Sequence, residues 1–395
     1  MIAASERGYF HWIDWLVFAL MLFVSAIAGL WHFRSAQKSD TRDYLLGGRS
    51  LGLFPVTASL VASFISGVTI LGTPTEIYNF GTQYWITIIS IFFSGIVVAF
   101  VYLPVFTTLQ LNSVYEYLEI RFDRSVRILI SLIFVFDAGG IRAVVWTDAL
   151  QVGVMIAAAI SVTALGTYQM GGMSEIWNKA VIAKRIEFLN FDPSPYTRHT
   201  VWTVLIGSWL YCTAYIAVNQ TMVQRYKSLE TRKKSQLSIA IFTISVMVFI
   251  SICCWCGLVL LAWWSPPKCD PRVSRLITAD DQLLPAYVME IAGDLHGIPG
   301  LFISGVFGAA LSEDNVFPLY RLSYHWVAPI GTLVVLVIGG LVTWITGAMD
   351  PSSIDKNLLS PVIHRYNRLI WQLFVTTERN ITFDLQMVTS TEISK

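Results

Sequence analysis

Residues 43–78 read DYLLGGRSLGLFPVTASLVASFISGVTILGTPTEIY, and the middle of this stretch decides the fold. From Leu51 to Gly72 the chain is apolar over the roughly 20 residues a helix needs to cross about 30 Å of hydrocarbon. Within it, ASLVASFISGVTILG at 58–72 is dense in small and hydroxyl side chains, with Gly67 and Gly72 able to unwind the helix. A span that breaks in mid-bilayer exposes backbone carbonyls and amides, the groups from which ion and anion sites are built. The same composition also suits a helix that merely packs closely on its neighbours through small residues. Residue types alone leave both readings open.

The surrounding composition places the whole chain in a membrane. Of 395 residues, 55% are hydrophobic and 13% charged, against roughly 25% charged in water-soluble domains. A net charge of +1 leaves no electrostatic footprint for nucleic acid. Six segments reach spanning length: Trp12–Phe33, Leu51–Gly72, Tyr84–Phe106, Ala149–Tyr168, Val201–Val223 and Leu237–Trp264. A seventh is expected at about 325–346, whereas 126–136 and 298–311 are too short to cross comfortably. The first segment is longer than a signal-peptide core and lacks a small-residue cleavage site, so it reads as a retained span. Cys212, Cys253, Cys254 and Cys256 lie in apolar stretches and Cys269 in a polar loop, which is neither a disulfide framework nor zinc-site spacing. The histidines are scattered and no nucleophile has a base beside it, so no enzyme is expected.

Lys and Arg collect in cytoplasmic loops. Arg34–Arg49, Arg121–Arg127 and Arg225–Lys234 each hold such a cluster, which predicts an outside N-terminus. The loop 265–295 is then extracellular. A shallow or tilted piece at 298–311 leaves one crossing before a cytoplasmic tail at 351–395. Residues 1–350 form the membrane unit in this reading.

Four further stretches, taken with Asp43–Tyr78, carry a resemblance: NSVYEYLEIRF at 112–122, GGIRAVVWTDALQ at 139–151, NQTMVQRY at 219–226, and CDP at 269–271 followed by DQLLPAYVME at 281–290. In this order they resemble the sodium/solute symporter family, closest to its monocarboxylate and multivitamin branch, and Pro318–Tyr324 resembles the approach to the family's last helix. Against that pattern the chain lacks two internal blocks, near residue 137 and after Ser312. The resemblance implies an all-α helical bundle with broken helices, of the inverted-repeat transporter type but incomplete. It implies sodium as coupling ion, no other cofactor, and a small organic anion such as a monocarboxylate or vitamin as the solute, carried across the plasma membrane.

The resemblance also names residues. It implies sodium ligands at the carbonyls of Ala62 and Ile65 and at Ala309 and Ser312, although Glu313 stands where the family has a second hydroxyl. It places Asp148 beside the ion's inward exit route, against the plainer reading of an interfacial acid at the edge of the span 149–168. Ser66, Gly67 and Thr69 fall at the broken helix. Tyr215 would gate the substrate pocket, with Asn219 four residues on and so on the same helical face; an ordinary packed tyrosine is the alternative. The rival to a sodium-coupled symporter is a truncated, non-transporting member that modulates full-length relatives.

Overall fold

In the computed structural model, the described residues are 10–36, 51–109, 113–121 and 141–311, apart from 195, 267 and 294. The expected short piece 126–136, the span near 325–346, the tail 351–395 and Ser312 lie outside them. The described chain is helical, with no strand. In order it forms α1 (Trp12–Ala36), α2 (Leu53–Phe64), α3 (Gly67–Phe80), α4 (Thr82–Thr108), α5 (Val114–Arg121), α6 (Ile141–Gln169), α7 (Met173–Ile182), α8 (Thr203–Val218), α9 (Gln220–Lys227), α10 (Arg232–Trp263), α11 (Leu283–Ala292) and α12 (Ile298–Leu311).

Among the described residues, α4, residues Val144–Gln169 of α6, and α10 are long and apolar enough to cross a membrane. The pair α2–α3, bent by 57° at its break, is long and apolar enough when its two halves are taken together and is then a fourth. The apolar part of α8 is shorter than the span expected at Val201–Val223, because the helix ends at Val218. Asn219 takes an extended conformation there (φ −65°, ψ 126°), and its side chain caps the separate helix α9. An asparagine side chain satisfies the amides of a new helix start, here those of Thr221 and Met222, more readily than it continues an old helix.

The span expected at Ala149–Tyr168 is corrected in the other direction. Helix α6 begins at Ile141, so Asp148 lies inside it and not at its edge. Hydropathy stops at Asp148 because a lone carboxylate is costly in hydrocarbon; here its charge is met by Arg225.

Helices α6 and α10 form the spine. Helix α6 packs on α12, α2, α1 and α10, and α10 packs on α3, α2 and α4. Close approach is written into glycines. A Cβ on Gly257 of α10 would lie 2.6 Å from the Pro74 carbonyl oxygen and 2.6 Å from Ile77 Cβ, both on α3. Helix α1 is fixed to α12 by Asp14, which is buried. Its Oδ1 accepts from the amides of Gly297 (2.7 Å) and Gly300 (3.1 Å), serving the otherwise unpaired donors at the start of α12.

Candidate functional site: the break between α2 and α3

The break falls at Ile65 and Ser66, not at the two glycines expected to unwind the helix. Gly67 opens α3 and Gly72 lies within it. Ile65 (φ −87°, ψ 103°) and Ser66 (φ −93°, ψ 170°) are both extended, a conformation any residue can adopt. The reason is a local competition for hydrogen bonds. Ser66 Oγ accepts from the Thr69 amide at 3.2 Å, and Thr69 Oγ1 accepts from the Ser66 amide at 3.4 Å, a capping box. In an unbroken helix the Thr69 amide would bond to the Ile65 carbonyl. Removing the cap with Ser66→Ala is expected to cost about 1 kcal/mol, read as a lower thermal midpoint of the purified protein, with Ser66→Thr close to the parent.

The sequence-derived residues gather unevenly around this break. Ala62 and Ile65 are buried at it. Ser63, absent from the sequence-derived set, joins them: its Oγ is buried with no hydrogen-bond partner among the described residues, and its carbonyl accepts from Tyr215 Oη at 2.8 Å. A hydroxyl beside a break was the available signal. An orphaned buried oxygen is costly unless a ligand completes it, and hard oxygens suit sodium. Tyr215 also packs edge-on against Phe64, with ring centroids 5.7 Å apart, so the expected gate residue sits on the break itself.

Ala309 is fully buried on α12, and its neighbour Gly308 faces Gln151 of α6, where a Cβ would lie 3.4 Å from Gln151 Cγ. Its expected partner Ser312 is outside the described residues. Asn219 lies one residue beyond the last residue of α8. Its Oδ1 accepts from the Thr221 amide at 2.9 Å and the Thr221 hydroxyl at 2.5 Å, so its side chain forms a joint between the two helices.

One turn before the break lies a buried charged cluster of which the sequence showed only one member. Asp148 Oδ2 accepts from Ser59 Oγ at 2.6 Å and from Arg225 Nη2 at 3.0 Å. Arg225 Nε donates to the same Ser59 Oγ at 2.6 Å. The three residues come from α2, α6 and α9, and all are buried. Arg225 had been counted with the basic loop 225–234. It belongs to the interior instead, as does Lys227, while Arg232, Lys233 and Lys234 are exposed at the start of α10.

The far end of α3 is held differently, by two loops. Glu76 pairs with Arg198 and lies 3.4 Å from His199. Tyr78 Oη donates to Asp270 at 2.8 Å, and Thr75 Oγ1 donates to the Asp280 carbonyl at 3.2 Å. Burial, helped by the charge of Arg198, pushes the His199 imidazole down to about 3, so it is neutral at pH 7 and leaves the Glu76–Arg198 pair intact.

A bundle whose central span is broken, with oxygen atoms and a hydrogen-bonded tyrosine at the break, defines the class of broken-helix membrane transporters. The chain belongs to the sodium:solute symporter family, whose model matches residues 44–138 and 126–316. The two matched pieces overlap at 126–138, next to the first of the two expected internal gaps. The sodium-coupled monocarboxylate transporter 1 of Mus musculus is 36% identical over 353 residues, 79% of this chain and 57% of the relative. The Homo sapiens sodium/iodide cotransporter is 34% identical over 80% of this chain and 55% of its own length. The sodium-dependent multivitamin transporter of Oryctolagus cuniculus is 34% identical over 77% and 54%. The chain thus spans little more than half the length of these relatives. They lend no support to the alternative of a non-transporting modulator. The fold matches that of a Na+-coupled sialic acid symporter in a substrate-bound outward-open state, with a TM-score of 0.67, 20% identity, and coverage of 87% of this chain and 84% of that one.

Proposed function

We propose that this chain is a sodium-coupled symporter of small organic anions, with monocarboxylates as first substrate and vitamins such as biotin or pantothenate second. The observation that carries this reading is the break at Ile65–Ser66, where the orphaned Ser63 hydroxyl and the backbone around Ala62 and Ile65 offer sodium hard oxygen atoms. Sodium is the coupling ion and no covalent step is involved. Binding at the break organises the anion pocket. The bundle then rocks, and Tyr215 leaves the Ser63 carbonyl to clear the inward path. Asp148 stands beside that path. The chain acts in the plasma membrane with its N-terminus outside and its C-terminus in the cytoplasm. The exposed Arg232, Lys233 and Lys234 face the cytoplasm, in keeping with the basic-loop rule. The names of the monocarboxylate, iodide and multivitamin relatives support the solute class.

The test is uptake of labelled lactate and biotin in cells expressing the chain. Uptake should vanish when choline replaces sodium. Thr69→Leu should raise the sodium concentration for half-activation about fivefold, as the loss of an interaction worth about 1 kcal/mol would, while surface expression holds. Uptake indifferent to choline replacement would sink the reading.

A further inference from the structure

Two side chains hold α2 from opposite sides of a single joint. The joint is Asn219, extended between α8 and α9. Before it, Tyr215 donates to the carbonyl of Ser63 at 2.8 Å. After it, Arg225 donates to Ser59 Oγ at 2.6 Å and to Asp148 of α6 at 3.0 Å. Ser59 and Ser63 are four residues apart in α2 and therefore stand one above the other on the same face. The two grips thus act on one stripe of one short helix, just before the break. Helix α9 is itself tied to α10, because Ser235 Oγ donates to the Tyr226 carbonyl at 2.7 Å.

The two holds differ in kind. Tyr215 makes a neutral hydrogen bond that can be given up and remade. Arg225 makes charge-assisted bonds, and its planar fork bridges a hydroxyl on α2 and a carboxylate on α6. Neither charged group can be left in the interior without an opposite charge. The Arg225 hold is therefore the stiff one.

We propose that Arg225 is a positioning residue for the α2 half of the broken helix. Through Ser59 and Asp148 it keeps α2 docked on α6, and because it shares the Asn219 joint with Tyr215, the two holds release together. In the transport cycle, which rests on the symport reading above, this makes the gate and the α2 dock one clasp. The clasp itself is a property of the fold and can be tested without transport.

A reporter thiol at the break reads it. The chain is prepared with Cys269→Ser, which removes the exposed cysteine while Cys212, Cys253, Cys254 and Cys256 are buried, and with Ser63→Cys. Labelling by a maleimide is timed in permeabilised membranes, open to reagent from both faces. Arg225→Gln is expected to raise the labelling rate roughly tenfold by freeing α2 to open locally. Arg225→Lys, which can reach Asp148 or Ser59 but lacks the fork to bridge both, should fall between it and the parent. Tyr215→Phe, which removes only the other hold, should raise the rate in the same direction but less. A rate in Arg225→Gln equal to the parent overturns the proposal. If that variant labels at its four buried cysteines as well, it has unfolded, and Tyr215→Phe decides: a parental rate there overturns the shared clasp, and a raised rate supports it. Failure of sodium-driven uptake by the parent chain, measured with Ser63 in place, alongside a raised labelling rate in the reporter background would refute the symport reading and leave the clasp standing.

Discussion

Asp148→Ala is expected to cost the folded protein about 3–5 kcal/mol, the penalty for leaving a buried charge without its partner. The charge left behind is Arg225, which is buried and which loses its 3.0 Å contact with the carboxylate. Ser59 loses the acceptor for its hydroxyl at the same time. The result should be visible as a large drop in the thermal midpoint of detergent-purified protein and in the yield of monodisperse material. The double variant Asp148→Leu/Arg225→Met should recover most of that loss, because a buried ion pair replaced by apolar side chains of similar volume is often neutral or stabilising. The two changes are coupled and will not add. A single Asp148→Ala variant as stable as the parent would show that the pair is not buried in the folded protein.

The distribution of what could be read from the sequence follows from the range of the interactions involved. Spans were legible because hydropathy is local: the helices at Thr82–Thr108 and Arg232–Trp263 fall close to the apolar segments Tyr84–Phe106 and Leu237–Trp264. The broken helix was legible as a composition of small and hydroxyl residues. Its exact position was not, because the break is set by the reciprocal Ser66–Thr69 bonds and needs no positive φ, so the glycines that drew the expectation were not the cause. The resemblance makes Tyr215 a gate to the substrate pocket, and its place at the break comes only from the structure, through the bond to the Ser63 carbonyl. That Asn219 joins two helices is not legible from a helical period, because the period does not mark the residue that ends the helix.

The charged cluster was hidden for a different reason. Asp148 and Arg225 are 77 residues apart, and each alone shortens the apolar run around it. The acid was pushed to a span edge and the base into a cytoplasmic loop, two separate errors with one origin. Each charge is tolerated only because the other is there, and a scan that scores residues singly cannot see a pair. Asp14 escapes notice in the same way, its carboxylate met by the His11 amide and by the distant amides of Gly297 and Gly300 on α12.

The other large effect is expected at Gly257, where α10 crosses α3. No turn or positive φ is involved; the demand is for space. A Cβ at this position would meet the Pro74 carbonyl oxygen at 2.6 Å and Ile77 Cβ at 2.6 Å. One of these is backbone, and the other belongs to a fully buried side chain, so neither can swing aside. Pro74 stiffens the α3 backbone on the same turn, and beyond it Thr75, Glu76 and Tyr78 tie α3 to the loops at 198 and 270–280. The helix would have to move as a body. Gly257→Ala should therefore destabilise by about 1–3 kcal/mol, the usual range for overpacking, and Gly257→Val by more, since it adds further methyl groups to the same gap. Gly153, where a Cβ meets nothing within 4 Å, is the matched control: Gly153→Ala should leave the thermal midpoint unchanged or raise it slightly, as a helical alanine is favoured over glycine by up to about 1 kcal/mol. Because α3 is the half of the broken helix anchored at the far end, Gly257→Ala should also shift the break relative to Tyr215. On the symport reading proposed above, membrane-inserted variants should then show a raised sodium concentration for half-activation as well as a lowered midpoint. Gly257→Val behaving like Gly153→Ala in the thermal measurement would mean that α3 and α10 do not approach as closely as described.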